Sequence, residues 1–201
     1  MPGVVRHEAR RAQILEAFVR LAARRGLHTV TMRSVAGEAG VSLRLVQYYF
    51  TSKGGLMNAA LRFLEKRSHD RWQARLARLP SNHSVRDYLE AFFAEALPDD
   101  EESRAFHLVW TSFAVLAMTD ADLAAQPFME GPNRLETRLA ETLRRAQAEG
   151  RMHAHRDAAL EAARLTTINH GLGTSVLAGQ RTPEQATAAF AYHLDQLLGT
   201  A

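Results

Sequence analysis

Apolar residues recur along most of the chain at intervals of three and four, which places them on one face of an α-helix. In residues 8–25, for example, Ile14, Phe18 and Leu21 fall on a common face. The alternation of apolar and polar residues that marks strands is scarce, and Ala, Leu, Arg and Glu, which favour helices, dominate. The pattern therefore predicts an all-α protein.

Glycine, proline and capping residues divide this pattern into separate helices. Gly26 ends the first helix, while Thr31, Ser42 and Ser52 can cap the second, third and fourth. The predicted helices span 8–25, 32–38, 43–49, 53–78, 85–96, 101–118, 121–149 with a broken start before Asn133, 157–179 and 183–198.

The second and third helices have the spacing of a helix-turn-helix motif. Ala36 lies where the two helices touch, and Gly40 lies in the turn, where only glycine adopts a left-handed backbone at little cost. Val46 and Phe50 are four residues apart and are expected to face inward, which leaves Arg, Gln and Tyr side chains on the outer faces. Side chains of these types read base edges and contact phosphates.

Charge is distributed unevenly along the chain. The first 53 residues contain nine Arg or Lys and three Glu, a net charge of +6, so the rest carries −3 of the whole-chain +3. A basic N-terminal part is compatible with a polyanionic partner, although charge alone does not distinguish this from the next interpretation. The alternative is a basic helix face that only contacts solvent.

Residues 8–55 resemble the DNA-binding domain of the TetR family of transcriptional regulators. The matching features are the pattern from Ile14 to Phe18, the run G-x-x-x-x-T-M-R-x-V-A-x-x-A-G-V-S, the helix VQYYF and the following SKGGLM. The resemblance implies a three-helix DNA-binding domain over residues 1–52 and a helical body over residues 53–201. Such a body binds a small molecule and forms a homodimer through a four-helix bundle. Most members are repressors that a ligand releases from double-stranded operator DNA.

The resemblance also assigns the DNA contacts. Arg33 is included because it matches the second helix of the family, and Lys53 because free N–H groups at a helix start attract phosphate. Gln47 stands where the family commonly has tyrosine, and glutamine can pair with adenine through two hydrogen bonds. The predicted DNA contacts are Thr31, Arg33, Ser42, Arg44, Leu45, Gln47, Tyr48, Tyr49 and Lys53.

Large apolar side chains with a few polar neighbours mark the later helices. This mixture is typical both of a hydrophobic core and of a small-molecule pocket. The predicted ligand contacts are Phe106, His107, Trp110, Phe113, Phe128, Asn169 and His170. An apolar or amphipathic effector fits this lining.

The last two helices carry a different signal, because small residues are dense between 157 and 179. In the last helix, Ala186, Phe190, Leu194 and Leu197 recur at helical spacing. We expect the two helices to pack against their symmetry mates in a homodimer. The alternative is a pair of helices buried within one chain.

Several functional classes lack support in the sequence. There is no cysteine, and no GxSxG elbow, glycine-rich phosphate loop or two-histidine metal motif occurs. The sequence therefore predicts neither an enzyme nor a bound metal or cofactor. The N-terminus lacks the apolar core of a signal peptide, and the apolar runs are too short to span a membrane, so a cytoplasmic protein is expected. A DNA-binding or architectural protein insensitive to ligand, and a helical enzyme, remain as alternatives.

Overall fold

A computed structural model describes residues 2–124 and 130–198, and within these ranges the chain forms helices and no strand. The α-helices are α1 Pro2–Arg25, α2 Met32–Glu38, α3 Leu43–Phe50, α4 Lys53–Leu76, α5 Val85–Ala96, α6 Glu101–Ala117, α7 Ala121–Ala124, α8 Glu130–Ala148, α9 Ala158–Leu177 and α10 Pro183–Leu198. A short 3-10 turn, Leu27–Thr29, joins α1 to α2. The all-α prediction is confirmed. None of the described helices combines the length and apolar character that crossing a membrane requires.

Two of the observed helices begin earlier than predicted. Helix α1 begins at Pro2 rather than at residue 8, and proline is well tolerated at the first helical position. Helix α8 begins at Glu130, before the predicted start at Asn133. Pro132 fits in its first turn, because N–H groups there have no partner within the helix.

One compact unit contains α1, α2, α3, α4 up to Arg67, α6 from Arg104, and α7. Ile14 and Phe18 of α1 are fully buried with Val35 of α2 and Val46 of α3. Gln13 adds a polar link, since its Nε2 donates to the carbonyl oxygen of Ala39 over 2.7 Å. The helix-turn-helix is therefore fixed against α1 by both apolar and polar contacts.

The other compact unit contains residues Ser68–Ser103 and the helices α8, α9 and α10. Its core includes Phe93 of α5 and Phe190 of α10, whose rings stack with centroids 4.0 Å apart. Helix α4 contributes residues to both units. The predicted functional division at residues 52 and 53 stays a prediction.

The apolar stripe of α10 does not face a symmetry mate. Its members, Ala186, Phe190, Leu194 and Leu197, are buried inside their own chain. The prediction that this stripe packs against a second subunit is wrong. Its periodicity reflects packing within the unit, so it does not locate the surface of a homodimer.

Candidate nucleic-acid interface

The start of α2 is fixed by reciprocal hydrogen bonds between Thr31 and Ser34. The amide of Ser34 donates to Thr31 Oγ1 over 3.1 Å, and the amide of Thr31 donates to Ser34 Oγ over 3.0 Å. This capping box satisfies N–H groups that the first helical turn leaves free. The predicted cap at Thr31 is confirmed, and the exposed threonine lies at the helix entrance.

The turn between α2 and α3 depends on Gly40, whose φ of +63° lies in the left-handed region. This conformation lets the amide of Val41 donate to the carbonyl oxygen of Ala36 over 3.0 Å. Ala36 itself is buried between the helices. The predicted roles of both small residues are confirmed, since a side chain at Gly40 would add backbone strain.

Helix α3 separates a buried face from an exposed one. Ser42 caps it by accepting a hydrogen bond from the amide of Leu45 over 3.2 Å. Val46 and Phe50 are buried as predicted, whereas Gln47 is exposed and Tyr48 is 72% exposed. A side chain as large as tyrosine exposed to this extent contributes little to the fold and is available to a partner.

Helix α4 starts directly behind the end of α3. Ser52 caps it, because its Oγ accepts a hydrogen bond from the amide of Gly55 over 3.1 Å. A β-carbon at Gly55 would lie only 2.6 Å from the backbone carbonyl oxygen of Phe50. Lys53 is exposed in this first turn. The close approach at Gly55 therefore fixes Lys53 relative to the end of α3.

The N-terminal part of α1 contacts the helix that carries the predicted DNA contacts. The His7 ring lies 4.6 Å from the ring of Tyr49 between centroids, and Tyr49 Oη donates to the carbonyl oxygen of His7 over 3.4 Å. Tyr48 packs edge-on against Tyr49, and the guanidinium of Arg11 lies over the ring of Phe50. Sequence reasoning missed His7, because it started the first helix at residue 8.

Two of the basic residues in this unit are already paired. Arg20 Nε lies 3.1 Å from one carboxylate oxygen of Glu38, and Arg24 Nη2 lies 2.8 Å from the other. The hydrogen bond from Arg20, together with the charge of Arg24, holds the pKa of Glu38 below its ordinary value. These two arginines therefore link α1 to α2. The outer faces of α2 and α3 carry other arginines, the exposed Arg33 and Arg44.

All nine predicted DNA contacts lie in this one unit at exposed or half-buried positions. The exposed ones are Thr31, Arg33, Ser42, Arg44, Gln47, Tyr48 and Lys53, and the half-buried ones are Leu45 and Tyr49. The structure thus brings together, on α2, α3 and the start of α4, residues that can contact a polyanion. Their individual roles stay predictions.

The predicted ligand contacts are divided between the two units. Phe113 and His107 are buried in α6, and Phe106 and Trp110 are half-buried against the core of the first unit. Asn169 and His170 belong to α9 in the second unit. Burial lowers the pKa of His170, which favours its neutral form. Phe128 lies outside the described residues. Phe113 contributes to the core, the alternative that the sequence left open.

Two protein families match the chain. Residues 14–60 match the family described as bacterial regulatory proteins, tetR family, and residues 85–199 match the family described as BetI-type transcriptional repressor, C-terminal. The first match covers the helix-turn-helix, and the second covers α5 to α10.

Individual relatives agree with these matches. The chain is 31% identical over 162 residues to the HTH-type transcriptional regulator BetI of Serratia proteamaculans, across 80% of this chain and 81% of that protein. A crystal structure reported as a TetR-family transcriptional regulator from Rhodococcus sp. superposes with a TM-score of 0.83 at 25% identity, covering 94% of this chain and 98% of that one. A transcriptional regulator from Saccharomonospora viridis, solved in complex with choline, has a TM-score of 0.79 at 30% identity, covering 94% of this chain and 95% of that one.

Proposed function

The chain belongs to the TetR family of transcriptional regulators, and we propose that it is a homodimeric repressor released from a near-palindromic operator by a small quaternary ammonium compound. The observation that carries the DNA-binding part is the exposed face of α3, behind which Val46 and Phe50 are buried. Since a repressor must reach DNA, we place the protein in the cytoplasm. Its relatives regulate transcription, which favours this function over a helical enzyme.

Two side chains of α3 are proposed to read the operator sequence. Arg44 can donate two hydrogen bonds to guanine, whereas the Gln47 amide can donate one hydrogen bond to N7 of adenine and accept one from its N6 amino group. Tyr48, Tyr49 and Lys53 are proposed to contact the backbone, which sets the register of the helix on the duplex. A single short helix reads few base pairs, so two copies about 34–36 Å apart are needed to reach successive major grooves.

Replacing Arg44, Gln47 and Tyr48 together by alanine tests the assignment. Each good base contact contributes about 1–3 kcal/mol, so the triple variant should lose specific operator binding in an anisotropy titration. Its circular dichroism should be unchanged, because these side chains are exposed. Arg25→Ala is the control, since it removes an exposed arginine at the C-terminal end of α1 that is not among the predicted DNA contacts. Unchanged operator affinity in the triple variant would contradict the assignment.

The effector class is proposed from the choline complex of the Saccharomonospora viridis relative. Choline carries three methyl groups on a cationic nitrogen, so this proposal is narrower than the apolar or amphipathic ligand expected from the sequence. A ligand releases DNA only if it binds the DNA-free state more tightly than the DNA-bound state. Shifting a population from 1:99 to 99:1 requires about 5.5 kcal/mol of such preference.

The release mechanism is tested by measuring choline affinity with and without saturating operator. We expect weaker binding to the protein–operator complex, and by linkage the same ratio should describe the loss of operator affinity in choline. Equal choline affinity in the two states would rule out release by this ligand. The result would then favour the alternative of a DNA-binding protein insensitive to ligand.

A further inference from the structure

A cluster of aromatic rings surrounds Trp72 in the second half of α4. Trp72 is 5% exposed, and its ring centroid lies 5.5 Å from that of Tyr88 and 5.6 Å from that of Phe92, both on α5. The three rings meet at interplanar angles of 63° and 64°. Such an arrangement contributes to the core of this unit and also concentrates electron-rich faces at one place.

A cation already lies on this cluster. The guanidinium carbon of Arg138, on α8, lies over the Trp72 ring at 5.5 Å from its centroid. This distance is within the range in which the ring quadrupole attracts a positive charge, and tryptophan is the strongest partner. Arg138 is otherwise exposed to solvent, and its Nη1 lies 3.5 Å from Nδ1 of the exposed His69. Its guanidinium can therefore leave the ring and be solvated at little cost.

The polar atoms of the cluster leave one donor without an acceptor. Among the residues that the structure describes, none accepts a hydrogen bond from the buried Nε1 of Trp72. Tyr88, by contrast, is hydrogen-bonded to the side chain of Thr142, and burial raises its pKa, so its hydroxyl stays protonated. A buried N–H without a partner costs free energy that a ligand oxygen can recover.

The backbone that carries Trp72 is fixed by a buried carboxylate. Glu95 of α5 is buried, and one of its oxygens accepts a hydrogen bond from Arg71 Nε over 2.8 Å. Its other oxygen lies 3.3 Å from Arg75 Nε. These arginines flank Trp72 on α4, and the indole is itself buried, so it cannot easily turn away. Arg138 is therefore the movable part of the cluster.

We propose that Trp72, Tyr88 and Phe92 bind the cationic head of a quaternary ammonium effector, and that Arg138 occupies the Trp72 face until the effector displaces it. A quaternary ammonium has no N–H to donate, so aromatic faces are the side chains suited to recognise it. A hydroxyl oxygen on the effector, as in choline, supplies the acceptor that Trp72 Nε1 lacks. This inference rests on the proposed effector class, and it places the aromatic contact at Trp72 rather than at the predicted Trp110.

The two tryptophans of the chain allow a direct test by fluorescence. In Trp110→Phe only Trp72 emits, and choline should change its emission. In Trp72→Phe only Trp110 emits, and choline should leave it unchanged while calorimetry shows weaker binding. A response from Trp110 together with a silent Trp72 would overturn the inference and support the predicted α6 contacts instead.

Removing the competing cation gives a second, independent test. Arg138→Gln should bind choline about two- to thirtyfold more tightly, the range that corresponds to cation–π attraction. Arg144→Gln is the matched control, because it removes the same charge from an exposed position on the same helix. Equal choline affinities in the two variants would show that Arg138 does not compete for the site.

A neutral ligand of the same shape separates the effect of the positive charge on binding from the effect of the molecule's shape. The analogue of choline in which carbon replaces nitrogen should bind more weakly than choline, and Arg138→Gln should not improve its binding. If wild-type protein binds choline but none of the Trp72 and Arg138 effects appears, the site is wrong and the proposed effector stands. If neither wild-type protein nor Arg138→Gln binds choline, both are overturned, while operator binding is judged by its own titration.

Discussion

The junction of α3 and α4 gives the sharpest prediction, because two neighbouring glycines differ in their surroundings. A β-carbon at Gly55 would lie 2.6 Å from the carbonyl oxygen of Phe50, whereas at Gly54 the nearest atom is Ser52 Oγ at 4.0 Å. Both glycines lie in the first turn of α4. Gly54→Ala and Gly55→Ala therefore make the same chemical change, but only Gly55→Ala creates a clash.

The expected magnitudes follow from two opposing effects. Alanine is favoured over glycine in a helix by up to about 1 kcal/mol, so Gly54→Ala should be neutral or slightly stabilising. A carbon–oxygen contact normally lies at about 3.3–3.6 Å, so Gly55→Ala must push the two backbones apart by roughly 0.7–1 Å. Overpacking of this kind costs about 1–3 kcal/mol, which outweighs the gain in helix propensity.

The displaced atom belongs to the last residue of α3, so the strain should also reach the proposed DNA contacts on this helix. Urea unfolding should show Gly55→Ala less stable than Gly54→Ala by about 1–3 kcal/mol. Operator affinity, measured by anisotropy at fixed salt, should fall about tenfold or more if one base contact is misaligned. Equal stability and operator affinity in the two variants would refute the view that this close approach positions α3.

Three further outcomes are expected from single substitutions. Lys53→Ala should reduce the salt dependence of operator binding by about one unit of slope, because one phosphate contact is lost. Thr174→Glu should raise the dimer dissociation constant in sedimentation, since Thr174 is exposed on α9; the exposed Arg181→Glu serves as control. Burial, followed by the charge of Arg164, lowers the pKa of His193, so the folded state favours the neutral ring. Stability should therefore fall as the pH is lowered through about 6.5, the ordinary pKa of histidine, and should fall less in His193→Gln.

The helix-turn-helix could be predicted from sequence because its determinants are local. Thr31 and Ser42 each cap a helix that starts one residue later, and Gly40 sets the turn through its own backbone conformation. Caps and left-handed glycines act within a few residues, so a single sequence contains the whole signal. The inward direction of Val46 follows from the helical period alone.

Contacts between distant residues could not be predicted in this way. Before position 8 the valines Val4 and Val5 are adjacent and set no helical period, so the apolar pattern does not extend α1 to Pro2. The contact of His7 with Tyr49 joins residues 42 positions apart, and it depends on how α1 crosses α3. Because the His7 ring packs against both Tyr49 and the exposed Tyr48, the N-terminal turns of α1 contact the proposed DNA surface.

The apolar stripe of α10 shows why helical period alone cannot locate a symmetric interface. The period predicts that Phe190 is buried, but it does not show which chain provides the side chains that cover it. In the structure, the ring of Phe93 from the same chain stacks on Phe190. A dimer surface must instead be formed by residues that a single chain leaves exposed. On α9 these include Leu160, 65% exposed, and Thr174, at a spacing of fourteen residues that returns them to one face. Introducing a charge at Thr174 should therefore weaken dimer association, whereas truncating Phe190 should lower the stability of the folded chain.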